Sequence, residues 1–339
     1  EMQEALGTDV AEMTPQQLMS AILKAPVDLF WNGGIGTYVK ASSETNDDAQ
    51  DRSNDAVRVD GNELRCKVVG EGGNLGFTQA GRIEYDRAGG RIFTDFVDNS
   101  GGVHCSDREV NIKILLRLAE QSGLLTRDER NELIEAVSDD VVSAIVYDNF
   151  LQAQILSQET AVSAERIEAY EDLMVRLEAE AGLDRGIEKL PSTETMMERA
   201  RARRRMARPE LAVLLAYAKQ NLTDDLVDSD LPEATFFEDL LANYFPLPIV
   251  KRFGSLIPEH PLRRQLVATI VANEVLNSQG ITFVARLETE TGKGSPEIVR
   301  AYRTARGVAG ASDRWRDIEH LAGTIDADVV NELLSGVDD

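Results

Sequence analysis

Three short stretches combine residue types that could hold a ligand: WNGGIGTY (residues 31–38), GEGGNLG (70–76) and DNSGGVHCS (98–106). Each joins glycines to one asparagine: Asn32, Asn74 and Asn99. A side-chain amide offers a donor and an acceptor together, which suits ribose hydroxyls and carboxamides. Glycine lets backbone approach a ligand closely. The spacing does not make a pyrophosphate cradle. A dinucleotide fingerprint needs G-x-G-x-x-G. Gly70 and Gly72 fill the first two places, but the third falls on Leu75, and the loop at Asn32-Gly33-Gly34 fails the spacing as well. If a dinucleotide binds here, its phosphates are held elsewhere.

Ser106-Asp107-Arg108-Glu109 has the form of a capping box, in which the serine closes a helix start worth about 1 kcal/mol. The same helix start, carrying partial positive charge, could instead present its hydroxyl and free N–H groups to a carboxylate. One serine serves both poorly, and periodicity alone favours the cap. His104, His260 and His320 do not pair at helical spacing, and His104-Cys105 beside Asp107 does not make a metal-ligand set. No metal site is expected, and no G-x-S-x-G nucleophile motif occurs. Cys66 and Cys105 read as small buried residues in a reducing compartment.

The elements that must position these loops change character along the chain. Up to about residue 120, short helices and strands alternate around glycine turns. Thr14-Pro15-Gln16-Gln17 is a capping box opening a helix that closes before Pro26. Strands are predicted at VDLFW (27–31), LRCKVVG (64–70) and RIFTDFV (91–97), with a short helix over 78–90 between the last two. The polar stretch 42–55 is expected to be a mobile surface loop. A long helix is predicted from Ser106 to Gly123. Such an order implies a parallel sheet with crossover helices, and ligands bind at the carboxyl edge of such sheets. From Leu124 onward strands nearly vanish. Thr126 to Glu129 forms another capping box, and SAERIEAYEDLMVRLEAEAG and RPELAVLLAYAKQNL carry apolar residues three and four apart. A later helix is expected with Ser295 as N-cap, Pro296 in its first turn and Gly307 after its end. The expected fold class is therefore α/β, a partial Rossmann-like parallel sheet, followed by an all-helical domain, mostly α overall. The expected domains are 1–122 and 123–339.

A chain of 339 residues, 42% hydrophobic and 28% charged, has the makings of an ordinary globular protein. Its net charge of −23 argues against nucleic acid as a partner. No apolar run reaches the length of a membrane span, and the start lacks the basic and apolar regions of a signal peptide, so a cytoplasmic location is expected. The local exception is RARARRRMARPE (199–210), read as a solvated basic face beside acidic neighbours rather than a dedicated anion site.

The segments APVDLFWNGGIGTYVKAS, RCKVVGEGGNLGFTQAGRIEY and GGRIFTDFVDNSGGVHCSDREVNIKILL closely resemble the large bacterial NAD-specific glutamate dehydrogenases. The resemblance continues through RPELAVLLAYAK, DLPEATFFEDLLANYFP and ITFVARLETETG and covers nearly the whole chain. It implies reversible deamination of L-glutamate to 2-oxoglutarate and ammonia, with a hydride passed to NAD. In the small glutamate dehydrogenases a loop reading E-G-A-N approaches the nicotinamide half of the cofactor; here it is Glu71-Gly72-Gly73-Asn74. Their N-A-G-G-V, followed three residues on by a substrate-contacting serine, corresponds to Asn99-Ser100-Gly101-Gly102-Val103 with Ser106. The resemblance thus implies that Asn32, Gly33, Gly34, Glu71, Gly72, Gly73, Asn74 and Asn99 bind the cofactor and that Ser106 binds substrate.

The family's catalytic lysine has no counterpart. Lys24, Lys40, Lys67 and Lys113, the early lysines, lie in helix or strand contexts. Family members are several times longer. The resemblance therefore implies the last part of a nucleotide-binding domain joined to the start of a long helical region. Such a piece would be inactive alone and homo-oligomeric in the full-length protein. The competing reading is a non-catalytic helical module for oligomerisation or regulation that has kept half a nucleotide domain.

Overall fold

The computed structural model describes residues 2–10 and 12–338. The chain is mostly helical, with two small parallel sheets of two strands each. It divides into two units, one made of residues 1–101, 160–167 and 184–213, the other of 102–159, 168–183 and 214–339.

In the first unit, helices α1 (Met2–Leu6) and α2 (Pro15–Leu23) precede strand β1 (Leu29–Asn32). Strands β2 (Val39–Lys40), β3 (Val59–Asp60) and β4 (Val68–Glu71) follow, then helices α3 (Gln79–Arg87) and α4 (Asp95–Asp98). The expected capping box starts α2: Gln17 N–H donates to Thr14 Oγ1 and Thr14 N–H to Gln17 Oε1. β1 lies parallel to β4 in a register that sets Leu29 opposite Val68 and Asn32 opposite Glu71. β2 pairs with β3, also in parallel. Val39, Val59, Cys66, Val69, Phe77, Tyr85 and Ile92 close the core beneath these strands. Each large apolar side chain there contributes roughly 1.5–3 kcal/mol by leaving water. Tyr85 is fixed within it by donating its hydroxyl proton to Cys66 O at 2.9 Å.

Several expectations are corrected. Residues 91–97 do not form a third strand. Only Arg91 bridges Val68, and the chain turns into α4 at Asp95. The aspartates explain the choice: three residues apart, Asp95 and Asp98 share one side of a helical turn but would point to opposite faces of a strand. Nor is 98–106 a loop. Helix α5 (Ser100–Gln121) starts directly after Asn99, so Ser106 lies inside the helix and does not cap it. Burial of Ile112, Leu115, Leu116 and Ala119 along α5 outweighs the helix penalty of two glycines, about 1 kcal/mol each. The stretch 42–55 is folded around Arg58, whose enclosed guanidinium donates to Thr37 O, Asn46 Oδ1 and Asp51 O. Cys66 is buried as expected, but Cys105 is exposed.

The basic segment is likewise not one solvated face. Helix Thr193–Ala202 ends at Arg203, and the flanking arginines turn inward. Arg199 donates two hydrogen bonds of 2.8 Å to the buried Glu210, while Arg205 and Arg208 both pair with the fully buried Asp86.

The second unit is helical. It holds α6 (Arg127–Ala136), capped by Thr126 as the sequence predicts, most of α7 (Ser138–Val162), all but the first residue of α8 (Ile167–Glu180), and the later part of α9 (Arg208–Asp228). Tyr170, Met174, Leu177 and Leu226 are buried on these helices, as is Val271 on the helix Arg263–Gln279. The helix Ser295–Ala309 departs from expectation at both ends. Gly294 is its N-cap, Ser295 instead donates toward Asp225 and Glu288, and Gly310 at φ 61° ends it. Gly307 lies within it because a single glycine costs less than the turn it would have to break.

Candidate nucleotide-facing site

The carboxyl ends of β1 and β4 carry two of the glycine loops. Asn32 is the last residue of β1; its carbonyl accepts from Gly73 N–H at 2.9 Å, so the two loops are bonded to each other. A Cβ on Gly73 would stand 2.5 Å from Gly34 O, and one on Gly76 would stand 1.6 Å from Asn32 Nδ2. One on Gly72 would strike the Trp31 ring at 2.4 Å. These glycines are small because protein already fills the space beside them. That explains why a glycine-rich loop lacks the fingerprint spacing.

Glu71 closes β4 with its side chain turned inward and fully buried. Arg82 of α3 meets it with a two-point fork, Nε to Oε2 at 2.7 Å and Nη2 to Oε1 at 2.8 Å. Asp95 stands 3.2 Å from the same guanidinium. The aspartates of α4 also accept from the loop backbone: Asp98 Oδ2 from Glu71 N–H at 2.9 Å, and Asp95 Oδ2 from Leu75 N–H at 2.8 Å. Leu75 holds φ 60°, an unusual value for leucine. Its carbonyl is fixed by the Thr37 hydroxyl at 2.8 Å. Burial pushes Glu71 up to about 7 against the pull of Arg82, and it pushes Asp98 up to about 6.

The structure brings Asn74 and Asn99 together: Asn99 Nδ2 donates to Asn74 Oδ1. Asn32 lies on the same loop pair, with Oδ1 accepting from Gly34 N–H at 3.4 Å and a buried Nδ2 that has no partner among the described residues. Gly33 and Gly34 are exposed. Ser106 belongs to the second unit, where its side chain is exposed on α5. Sequence reasoning missed Arg82, Asp95 and Asp98. The available signal was the three-residue spacing of the aspartates, which reads as a helical turn once a strand is not assumed.

Among the described residues no group of three or more His, Cys, Asp or Glu could hold a metal ion. Among the described residues no helix is long and apolar enough to cross a membrane.

Parallel strands β1 and β4 thus end in loops bonded to each other through Asn32 and Gly73. The model of the bacterial NAD-glutamate dehydrogenase catalytic domain matches residues 1–159, and that of the glutamate dehydrogenase C-terminal region matches 203–339. The chain belongs to the bacterial NAD-glutamate dehydrogenase family. It is 44% identical over 334 residues to the NAD-specific glutamate dehydrogenase of Pseudomonas aeruginosa, and 43% identical over 334 residues to that of Halomonas elongata. It is 42% identical over 308 residues to that of Mycobacterium tuberculosis. These matches cover 98%, 98% and 91% of this chain, but only 21%, 21% and 19% of the relatives. The chain thus spans about a fifth of the length of the curated relatives it matches.

Proposed function

We propose that this chain serves, within a longer polypeptide, the NAD-dependent oxidative deamination of L-glutamate to 2-oxoglutarate and ammonium, and that alone it is inactive. The observation that carries the proposal is the pairing of Asn74 with Asn99, which joins the loop after β4 to the junction of α4 and α5. The reading takes the small parallel sheets as part of a Rossmann-like domain reaching to about residue 122, with the helical domain following from 123. It takes the working protein to be a cytoplasmic homo-oligomer.

The residues fit one end of the cofactor. Asn74 and Asn99 offer amide donors and acceptors suited to a nicotinamide carboxamide, and Asn32 Nδ2 is a buried donor without a partner among the described residues. The loops offer no matching place for the pyrophosphate, since Trp31, Gly34 and Asn32 fill the space beside Gly72, Gly73 and Gly76. When bound, NAD supplies the hydride acceptor. Asn74, Asn99 and the loop backbone would hold its nicotinamide end and limit access of water there. Gly33, Gly34, Gly72 and Gly73 contribute backbone, and so does Glu71, whose carboxyl group is occupied by Arg82. Ser106 is assigned to a substrate carboxylate through its exposed hydroxyl. The lysine that would move the proton is not among these residues and would come from the rest of the polypeptide.

Glutamate-dependent NAD reduction by the full-length polypeptide tests the reading. Asn99→Ala should raise the KM for NAD about tenfold, the loss of one or two polar contacts, and Ser106→Ala should raise the KM for glutamate. Unchanged kinetics in both variants would remove the site assignment. Absence of NAD reduction in the unaltered polypeptide would remove the function.

A further inference from the structure

We infer that Asp95 and Asp98 are positioning residues: from one turn of helix α4 they grip the 71–75 loop at both ends by its backbone N–H groups and so set the direction in which Asn74 is presented. The inference rests on the reading of that loop as cofactor-facing, but the grip itself stands on geometry. Asp98 holds the first residue of the loop at Glu71 N–H, and Asp95 holds the fifth at Leu75 N–H, at 2.9 and 2.8 Å. Between these points the loop has one further backbone tie, Gly73 N–H to Asn32 O. Glycines at 72 and 73 would otherwise leave it free to adopt many conformations. Leu75 would not hold φ 60° unaided, because a non-glycine residue in that region costs about 1–3 kcal/mol and persists only where its surroundings over-determine it.

Arg82 completes the device. Its guanidinium faces both Glu71 and Asp95, so the strand end, the loop and α4 share one cation. Asn99 follows Asp98 immediately and is bonded to Asn74. The two asparagines are therefore placed by the same helical turn that holds the loop, and displacing α4 would displace both. Neither aspartate needs to touch a ligand for this: each acts through the backbone it holds.

Two measurements test the inference. Amide hydrogen exchange on the chain as it stands should find the Glu71 and Leu75 N–H groups protected. In Asp98→Ala the Glu71 amide should exchange about tenfold faster or more, as expected for loss of a charge-assisted hydrogen bond. Asp98→Asn keeps an acceptor oxygen and should restore protection. In the full-length polypeptide, Asp98→Ala should raise the KM for NAD about tenfold with the KM for glutamate unchanged, and Asp98→Asn should stay within about threefold of the original. A Glu71 amide that exchanges freely in the unaltered chain would overturn the grip. Protection lost in Asp98→Ala without any change in the KM for NAD would overturn the positioning role. If Asp98→Ala unfolds, the same comparison is made with Asp95→Asn, which leaves one oxygen for the Leu75 and Phe96 N–H groups that the two oxygens of Asp95 now serve; an unchanged Leu75 exchange rate and KM would then count against the proposal. Failure of the unaltered polypeptide to use NAD would instead defeat the functional reading, leaving the exchange result to decide the grip.

Discussion

Arg82 and Glu71 face each other through two parallel hydrogen bonds, 2.7 and 2.8 Å long, with both side chains closed off from solvent. A buried pair of this kind is costly to break from one side, because the remaining charge loses its partner without regaining water. Arg82→Met should destabilise the chain by about 3–5 kcal/mol. Replacing both residues, as Arg82→Met with Glu71→Met, should recover part of that loss. Urea denaturation of the two variants checks this, and a single variant as stable as the original would mean that the pair carries no weight.

The acid cluster also gives a signed dependence on pH. Burial raises Glu71 from the usual 4.5 to about 7 and Asp98 from 3.8 to about 6. The folded chain therefore holds protons that the unfolded chain releases. This contribution to stability is fully present below about pH 4 and is lost as pH rises through 6 and 7. Asp98→Asn removes one of the titrating groups, so its unfolding free energy should fall less steeply between pH 5 and 7.5 than that of the original chain. Equal slopes would show that Asp98 keeps an ordinary acidity.

Lys219 has the opposite sign. Burial pushes its ammonium from 10.5 down to about 7, against the pull of Asp148. The cost of burying the charge is fully present below about 7, and stability rises as pH increases from there toward 10.5. Lys219→Met should raise the melting temperature at pH 7, and its advantage should shrink by pH 9.5. A variant that melts lower than the original at pH 7 would mean that the ammonium has a stabilising partner.

Gly280 has φ 94°, and a Cβ there would stand 2.2 Å from Glu159 Oε1, the carboxylate whose other oxygen accepts from the Tyr170 hydroxyl. Gly280→Ala should cost about 2–4 kcal/mol, from backbone strain plus displacement of a buried carboxylate. Gly292 is a built-in comparison: its φ is 66°, but nothing lies within 4 Å of a Cβ there, so Gly292→Ala should cost only about 1 kcal/mol. Thermal unfolding of the pair side by side separates conformational strain from steric clash; equal losses would argue that the contact with Glu159 is soft.

Local signals were legible wherever neighbours in sequence decide the outcome. Thr14 and Thr126 start their helices as capping boxes, and the chain leaves α5 with Gly123 at φ 70°, because a cap is satisfied by residues within one turn. The loss of strands after residue 124 was equally readable from three- and four-residue spacing. Beyond these, the long motifs around Asn32, Asn74 and Asn99 carried the family.

Tertiary structure decided what depends on partners distant in sequence. RIFTDFV has the composition of a strand, yet it turns helical at Asp95, where two carboxylates meet backbone N–H groups some 20 and 27 residues earlier in the chain. Arg199, Arg205 and Arg208 looked like a solvated face until Glu210 and Asp86 closed on them from inside the fold. The glycines of the 70–76 loop announced a close approach but could not say to what. Folding brought Trp31, Asn32 and Gly34 against them, and the spare room was taken by protein. Composition and short-range spacing set the helices, their ends and the family. Which charges are neutralised, and whether a glycine makes room for ligand or for protein, is set only when remote segments compete for the same donors and the same space.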